Sequence, residues 1–474
     1  FGQRAFANSN VPSGYKSLCT ANLPTPTIAD GSKYFDTNIW SGNSTSRNIT
    51  TTLSPDFVWI KGRSHATNNV LYDAVRGPTK VIYADTNSAE ATQSTQLTAF
   101  NSNSFSLAAG NEVNQTGRTY VGWAWDAGAN SNNTYTVTVS GGKFYIDGVQ
   151  QPTLTLAEGS TYKFDQSAST NATHPLRFST TSDGTHGGGS EYTTGVTTAG
   201  TPGSAGAYTQ IVIAASAPTL YAYCTNHSGM GFQVNTSDKG GATNLDGSIA
   251  SQVMANPSAG ISIVEATAGG SYGMMSIGHG LNDKPSIVIT KRRNGTGDWL
   301  VHTDVTGSIQ QLELNKTDSA VAGGSYYSAN STTFSLYHGH YTDNNHELIN
   351  YCFAPVEGYS AMGSYTGNNS ADGPFVYTGF KPRWIMIKAT SFSEHWYIYD
   401  TKRKTYNVNQ LPLLANSSNG GLSYEGIADG GQAIDILSNG FKIRGAWLTN
   451  NGSQNYIYTA FAENSFQVNG GLAR

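Results

Sequence analysis

The stretch Ser54-Pro-Asp-Phe-Val-Trp-Ile-Lys61 joins a turn-forming Ser-Pro-Asp to an unbroken run of β-branched and aromatic residues. This composition is typical of a β-strand that follows a turn. The pattern returns as Lys284-Pro-Ser-Ile-Val-Ile-Thr-Lys291 and as Lys381-Pro-Arg-Trp-Ile-Met-Ile-Lys388. The chain therefore contains an internal repeat, and this repeat decides the fold.

Further strand-like segments follow each of these runs in the same order. They are Leu71–Gly77, Asn103–Leu107 and Thr119–Trp125 in copy one, Asp298–His302, Thr333–Leu336 and Glu347–Ala354 in copy two, and Trp396–Arg403, Asn439–Ile443 and Asn455–Phe461 in copy three. The order predicts one β-sandwich per copy, with the alternating aromatic residues facing the core of that sandwich. The recurring pairs Asp73 with Arg76 and Asp400 with Arg403 are expected to fix a turn and not to perform chemistry.

Length and composition favour a folded protein of several domains. A chain of 474 residues is too long for a single core. Charged residues make up only 12%, yet 27 Tyr, 18 Phe and 8 Trp can fill several cores. Helical periodicity is almost absent, so the sequence predicts an all-β protein of tandem sandwiches.

Charge, cysteine content and motifs exclude several function classes. A net charge of −4 without a basic stripe argues against nucleic-acid binding, and no apolar run reaches the roughly 20 residues that cross a membrane. Cys19, Cys224 and Cys352 are too few and too far apart for a disulfide framework. We find no nucleophile elbow, paired-carboxylate pattern, phosphate loop or HExxH helix, so no enzyme is expected.

One segment between copies one and two matches neither and carries metal-ligand chemistry. His174 is followed, after 50 positions, by Cys224-Thr-Asn-His227-Ser-Gly-Met230. Two imidazoles, a thiolate and a thioether are the donors that select copper in a trigonal site with a weak axial Met. One tight loop presents three of these donors, while His174 arrives from a neighbouring strand. The expected metal ligands are His174, Cys224, His227 and Met230.

These residues resemble the cupredoxins, and the short Cys-x-x-His-x-x-Met loop resembles the amicyanin variant of that family. The resemblance implies a Greek-key sandwich that holds copper in a type 1-like site. The alternative is a sandwich that retains the four residues without metal. His186, in the long loop between the ligand segments, is not expected to bind metal. Histidines of copy two are expected to face solvent or to be hydrogen-bonded; they are His279, His302, His338, His340 and His346.

Six segments follow from the repeat and the insertion. They are residues 1–26 as the end of a preceding domain and a linker, 27–129 as repeat 1, 130–235 as the cupredoxin-like domain, 236–256 as a linker, 257–358 as repeat 2 and 359–474 as repeat 3.

Three segments resemble a repeated, uncharacterised β domain of marine bacteriophage structural proteins and tail fibres: Ser13–Pro24, Phe375–Lys388 and Tyr456–Phe466. In such proteins a SPRY-like or lectin-like domain often precedes the first copy, and Phe1–Phe6 resembles its closing strand. The resemblance implies a location on the virion surface and carries no known activity.

The expected function is a phage virion protein, a tail fibre or other host-facing fibre that binds bacterial surface glycans. Its expected partners are itself, as a homo-oligomer with a trimer favoured, and other virion proteins. Sandwiches joined by short linkers would form a stiff rod. The alternatives are a capsid decoration protein and a secreted, copper-binding, cupredoxin-type redox protein.

Overall fold

A computed structural model describes residues 26–128, 133–269, 274–337, 345–419 and 433–465. The described residues are almost all β, which confirms the prediction of an all-β fold of tandem sandwiches. Helical structure among them amounts to three short 3-10 helices, Gly31–Lys33, Ser169–Asn171 and Gly184–Gly187. Within those ranges, no helix has the length and apolar character needed to span a bilayer. Cys19 and Phe1–Phe6 lie outside the described residues.

Repeat 1 pairs a larger sheet with a three-stranded one. Its larger sheet has the order β1-β9-β3-β4-β5-β6, and its smaller sheet has the order β2-β8-β7. The strands are β1 Phe35–Ser41, β2 Arg47–Thr50, β3 Phe57–Gly62, β4 Val70–Asp73, β5 Lys80–Tyr83, β6 Ala91–Thr92, β7 Leu97–Asn101, β8 Ser104–Leu107 and β9 Thr119–Trp125.

The segment between the repeats forms a separate sandwich with sheets β12-β11-β10-β14-β17-β16 and β13-β19-β18-β15. Two pairings, β10 with β14 and β13 with β19, are parallel, and the others are antiparallel. The strands are β10 Asn133–Ser140, β11 Lys143–Ile146, β12 Val149–Gln150, β13 Leu154–Ala157, β14 Thr161–Asp165, β15 Leu176–Ser179, β16 Val196–Ala199, β17 Tyr208–Val212, β18 Leu220–Cys224 and β19 Phe232–Ser237.

Repeat 2 has the larger sheet β20-β21-β22-β30-β24-β25-β26-β27 and the smaller sheet β23-β29-β28. The strands are β20 Ala242–Asn244, β21 Ser251–Asn256, β22 Ile261–Thr267, β23 Met274–Gly278, β24 Ile287–Arg292, β25 Leu300–Thr303, β26 Gln310–Glu313, β27 Val321–Ala322, β28 Tyr327–Ala329, β29 Thr333–Tyr337 and β30 Glu347–Phe353.

Repeat 3 has the larger sheet β31-β38-β33-β34-β35 and the smaller sheet β32-β37-β36. The strands are β31 Ser360–Thr366, β32 Phe375–Tyr377, β33 Phe380–Ala389, β34 Trp396–Asp400, β35 Leu413–Leu414, β36 Ile434–Leu437, β37 Gly440–Ile443 and β38 Asn455–Ser465. In each repeat the last strand lies beside the strand of the quoted run: β9 lies between β1 and β3, β30 between β22 and β24, and β38 between β31 and β33. The recurring sequence order thus encodes one recurring topology.

The central strands of each repeat are buried on both faces. In repeat 1, Val58 and Ile60 face the core of their own sandwich, while Phe57 and Trp59 face the opposite way. In repeat 2, Val288 faces inward, and Ile287 and Ile289 face outward. A strand with two buried faces needs apolar residues at successive positions, which explains the unbroken runs.

The outward faces of the three repeats meet in one shared core. Phe57 of repeat 1 stacks on Tyr351 of repeat 2 with ring centroids 4.4 Å apart. Phe461 of repeat 3 contacts Trp125 at 5.7 Å and Phe353 at 5.9 Å. The prediction that these large aromatic residues face the core of their own sandwich is therefore wrong. They face the neighbouring repeats because side chains at alternate strand positions point to opposite sides of the sheet.

Equivalent hydrogen bonds join the repeats in a cycle. Each bond starts at the beginning of the strand that pairs with the quoted run: Asn69 and Trp299 immediately precede β4 and β25, and Trp396 is the first residue of β34. Asn69 Nδ2 donates to the Leu414 carbonyl at 3.0 Å. Trp299 Nε1 donates to Tyr83 at 2.8 Å, and Trp396 Nε1 donates to Glu313 at 3.0 Å. Repeat 1 thus contacts repeat 3, repeat 3 contacts repeat 2, and repeat 2 contacts repeat 1, which closes a ring.

Three lysines follow the same cycle. Lys61, Lys291 and Lys388 end the quoted runs, and all three are fully buried. Each donates from Nζ to a backbone carbonyl of the neighbouring repeat: Lys61 to Ser417 at 2.8 Å, Lys291 to Asn87 at 3.3 Å and Lys388 to Thr317 at 2.9 Å. Burial lowers the pKa of each lysine to about 8.

Two expectations about organisation are corrected by this arrangement. The repeats do not follow one another as a rod, since all three share one core. Residues 236–256, predicted as a linker, supply the strands β20 and β21 of repeat 2. They also contact the other domains, since Gly240 N donates to the Ala74 carbonyl at 2.9 Å and the Tyr135 hydroxyl donates to the Thr243 carbonyl at 2.8 Å.

The Asp and Arg pairs fix turns, as predicted. Arg76 Nε lies 2.5 Å from Asp73 Oδ2, and its backbone N–H donates to Asp73 Oδ1 at 2.8 Å. Arg403 makes the same two contacts with Asp400, at 2.5 and 2.8 Å. These bonds span three residues and close the turn after the strand.

Candidate metal centre

His174 enters the site from the segment that precedes β15. Its backbone N–H donates to the Asn171 carbonyl at 2.9 Å, and its own carbonyl accepts from Gln166 Nε2 at 2.9 Å. Pro175 follows it, so the chain is extended at this point. These constraints fix where the imidazole lies at the end of the sandwich.

Cys224 is the last residue of β18 and pairs with Leu176 of β15. The pairing brings it beside His174, which precedes Leu176 by two residues. Asn226 Nδ2 then donates to the Thr173 carbonyl at 2.8 Å, so a second bond ties the cysteine loop to the histidine segment. A pair 50 positions apart in sequence thus becomes adjacent in space.

The loop from Cys224 to Met230 is held from outside. Asp183 Oδ1 accepts from the Gly229 N–H at 2.8 Å, and Lys143 Nζ donates to the Gly229 carbonyl at 2.5 Å. The Met230 carbonyl accepts from the Phe144 N–H at 3.1 Å. Nothing in the sequence motif itself pointed to Asp183 or Lys143, which come from distant segments.

Three of the four predicted ligands converge. Cys224 Sγ lies 3.8 Å from His174 Nδ1 and 3.6 Å from His227 Nδ1. A metal ion bound about 2.3 Å from a thiolate and about 2.0–2.1 Å from an imidazole nitrogen separates these donors by about 3.6–3.8 Å at trigonal or tetrahedral angles. The two sulfur-to-nitrogen distances therefore fit one ion, and all three donor atoms lie within 4.8 Å of one another.

Met230 follows in the same loop, and its side chain is buried in the sandwich core with Cys224. Its thioether is the fourth donor of the predicted set. That this set of donors selects copper stays a prediction.

The three converging residues differ in their exposure to solvent. Cys224 is buried, His174 is partly buried and His227 is exposed. The pKa of His174 is lowered, because burial disfavours the charged imidazolium and His227 lies nearby. A neutral imidazole is the form that binds metal. His227 thus lies at the solvent-exposed edge of the cluster.

His186 has a supporting role. Its Nε2 lies 3.0 Å from the Cys224 carbonyl, and it supplies no donor atom to the cluster. In repeat 2, His279 Nε2 lies 3.1 Å from the Asn330 carbonyl and His302 Nε2 lies 3.2 Å from Gln311 Oε1. These two are hydrogen-bonded as expected, although both are buried and not solvent-facing. His338 and His340 lie outside the described residues.

Comparison with known proteins gives one family. Residues 30–143 and 224–465 match a family described as a domain of unknown function, DUF7483. The unmatched residues 144–223 contain His174 and most of the inserted sandwich. No curated protein matches the chain. No solved structure matches it either.

Proposed function

The chain belongs to the DUF7483 family, and we propose that it is a non-enzymatic structural protein of a phage virion, a tail fibre or other host-facing fibre that binds bacterial surface glycans. The observation that carries the proposal is the closed ring of three repeats around one core. Such a ring is a rigid support that holds outer loops in fixed positions. The resemblance of Phe375–Lys388 and Tyr456–Phe466 to phage structural proteins supports the proposed location on the virion.

The ring also bears on the proposed self-association. Each repeat covers the apolar face of the next, so this face is used within one chain. A homo-oligomer, with a trimer still favoured, would form through other surfaces. Capsid attachment remains the alternative to tail attachment, and both place the protein on the virion surface.

The experiment for this proposal is detection of the chain in purified particles, followed by imaging with a specific antibody. The proposal predicts that label lies on projecting fibres. A chain that is absent from particles would contradict it. Label spread evenly over the capsid would favour the decoration alternative.

We propose that the inserted sandwich binds copper through His174, Cys224, His227 and Met230. The convergence of one sulfur and two nitrogens at 3.6 and 3.8 Å supports this. Within the fibre, copper would add its binding free energy to the stability of the sandwich.

The same cluster favours a second candidate, a secreted cupredoxin-type redox protein. The exposed His227 would then be the point at which electrons pass to a partner. Electrochemistry of the copper-loaded chain separates the two roles. A fast, reversible couple favours the redox protein, whereas a stabilising site needs no such couple.

A further inference from the structure

Exposed aromatic side chains are concentrated in one repeat. Across the described ranges, five aromatic side chains are exposed, and four of them belong to repeat 3. They are Phe375, Tyr377, Tyr406 and Trp447, and the fifth is Tyr337 of repeat 2. Phe375 and Tyr377 lie on one strand, β32, and are 46% and 65% exposed.

The two side chains share one face of the smaller sheet. Val376, which lies between them, is buried on the opposite face. Positions two apart on a strand stand about 6.4–6.8 Å apart along it. Phe375 and Tyr377 thus form a short row of two rings on the outer surface of repeat 3.

The other repeats show what the fold itself requires at these positions. Ile49, Ile277 and Val376 each pair with a buried phenylalanine on the adjacent strand of the smaller sheet. The three strands are therefore in equivalent register. The neighbours of Ile49 are Asn48 and Thr50, and those of Ile277 are Ser276 and Gly278. Small residues therefore satisfy the fold at the positions of Phe375 and Tyr377. The aromatic pair in repeat 3 needs another explanation.

A glycine lies beneath the row. Gly440 pairs with Tyr377, and a Cβ atom at this position would lie 2.1 Å from the Val376 carbonyl oxygen and 3.1 Å from Cε2 of Phe375. Ser104 and Thr333 occupy the equivalent position in the other repeats. The Phe375 ring thus leans across the backbone at a point where the other repeats carry a side chain.

Polar groups stand beside the row. Lys442 pairs across the strands with Phe375, and its Nζ lies 2.6 Å from Asp372 Oδ1. The Asp372 side chain is 84% exposed. A carboxylate and an ammonium group that neutralise one another can still hydrogen-bond to neutral hydroxyl groups.

We propose that Phe375 and Tyr377, with Asp372 and Lys442 beside them, form a sugar-binding platform. The C–H groups on the flat side of a sugar ring are weakly positive and pack on the negative face of an aromatic ring. The sugar hydroxyls then bond to Asp372 and Lys442. This inference deepens the proposed function, on which it rests for the source of the sugar, a bacterial surface glycan.

The size of the row favours a sugar over a protein partner. Aromatic side chains offer about 150–250 Å² each. The exposed parts of Phe375 and Tyr377 therefore amount to roughly 200 Å². A stable protein interface takes about 800 Å² from each partner.

The test uses the intact chain and short soluble oligosaccharides of glucose, galactose and N-acetylglucosamine, with binding followed by saturation-transfer NMR. We expect at least one of these sugars to bind. The double variant Phe375→Asn with Tyr377→Thr, which carries the residues of repeat 1, should weaken binding about tenfold or more. The variant Tyr377→Trp should keep it. A matched control, Asn48→Ala with Thr50→Ala, changes the same positions in repeat 1 and should have no effect.

Three results would overturn the platform: no binding of any of these sugars, equal binding by the double variant, or a loss of self-association by the double variant in sedimentation. Virion imaging reports separately on the proposed function. If the chain binds a sugar but is absent from particles, the sugar-binding platform stands and the fibre proposal fails. If the chain lies on fibres but binds none of these sugars, the fibre proposal stands and the platform fails.

Discussion

Trp123 of repeat 1 donates its indole N–H to Asp400 Oδ2 of repeat 3 over 3.1 Å. Tyr351, which has the same register in repeat 2, donates its hydroxyl to Asp73 Oδ2 of repeat 1 over 2.7 Å. Each carboxylate also closes the turn of its own repeat through Arg403 or Arg76. In each case a single aspartate side chain thus connects the turn of its own repeat to the contact with the neighbouring repeat.

Removing the Tyr351 hydroxyl should destabilise the ring. Tyr351→Phe keeps the apolar ring but leaves Asp73 with one buried hydrogen bond fewer, at a cost of about 1–3 kcal/mol. Chemical denaturation measures this. The matched control is Tyr359→Phe, because the buried Tyr359 hydroxyl has no partner among the residues the structure describes. Equal costs for the two variants would show that the bond to Asp73 contributes nothing.

Because of the three buried lysines, we expect the free energy of unfolding to increase with pH. Burial lowers the pKa of Lys61, Lys291 and Lys388 to about 8, whereas the unfolded value is near 10.5. Between these values the unfolded chain binds more protons, so the free energy of unfolding increases with pH. The gain from pH 7 to about 9.5 is on the order of 1–2 kcal/mol per lysine. Buried tyrosines such as Tyr351, whose pKa is raised, oppose the trend above about pH 10.

Denaturation midpoints at several pH values test this prediction. Lys61→Met should remove about a third of the slope, since the three lysines are equivalent. Lys33→Met, at an exposed lysine, should leave the slope unchanged. A midpoint that falls between pH 8 and 9.5 would refute the assignment.

Copper should bind with a thiolate-to-copper absorption in the visible range and raise the melting temperature of the sandwich. At free copper 100-fold above Kd the stabilisation is about 2.7 kcal/mol. Cys224→Ser should abolish both effects. Cys352→Ala removes a buried thiol of repeat 2 and should abolish neither. A band that survives in Cys224→Ser would rule out the site.

The strands could be predicted because their β-branched and aromatic residues have a high propensity for β-structure. The run Phe57–Lys61 is a strand that extends to Gly62, and Trp384–Lys388 lies within β33. The convergence of His174, Cys224 and His227 could be predicted because these rare residue types occur in a recognisable order. The bond from Asn226 to Thr173 could not, because an asparagine in a loop has no distinctive pattern.

The packing of the repeats was not predictable in the same way. Alternation assigns Trp59 and Ile60 to opposite faces but does not say which face meets another repeat. The unbroken apolar run was a signal that both faces are buried. The lysine that ends all three runs was a second signal, since a solvent-exposed lysine has no reason to recur at one register.

Hydrogen exchange of Trp125→Ala tests the shared core most directly. Trp125 contacts Trp384 and Phe461 of repeat 3, and its loss should cost about 3–5 kcal/mol. Phe105→Ala, in the separate core of repeat 1, is the matched control. We predict that Trp125→Ala speeds exchange in Glu347–Phe353 and Asn455–Phe461 as well as in repeat 1, while Phe105→Ala acts mainly within repeat 1. Faster exchange confined to repeat 1 in Trp125→Ala would contradict the ring.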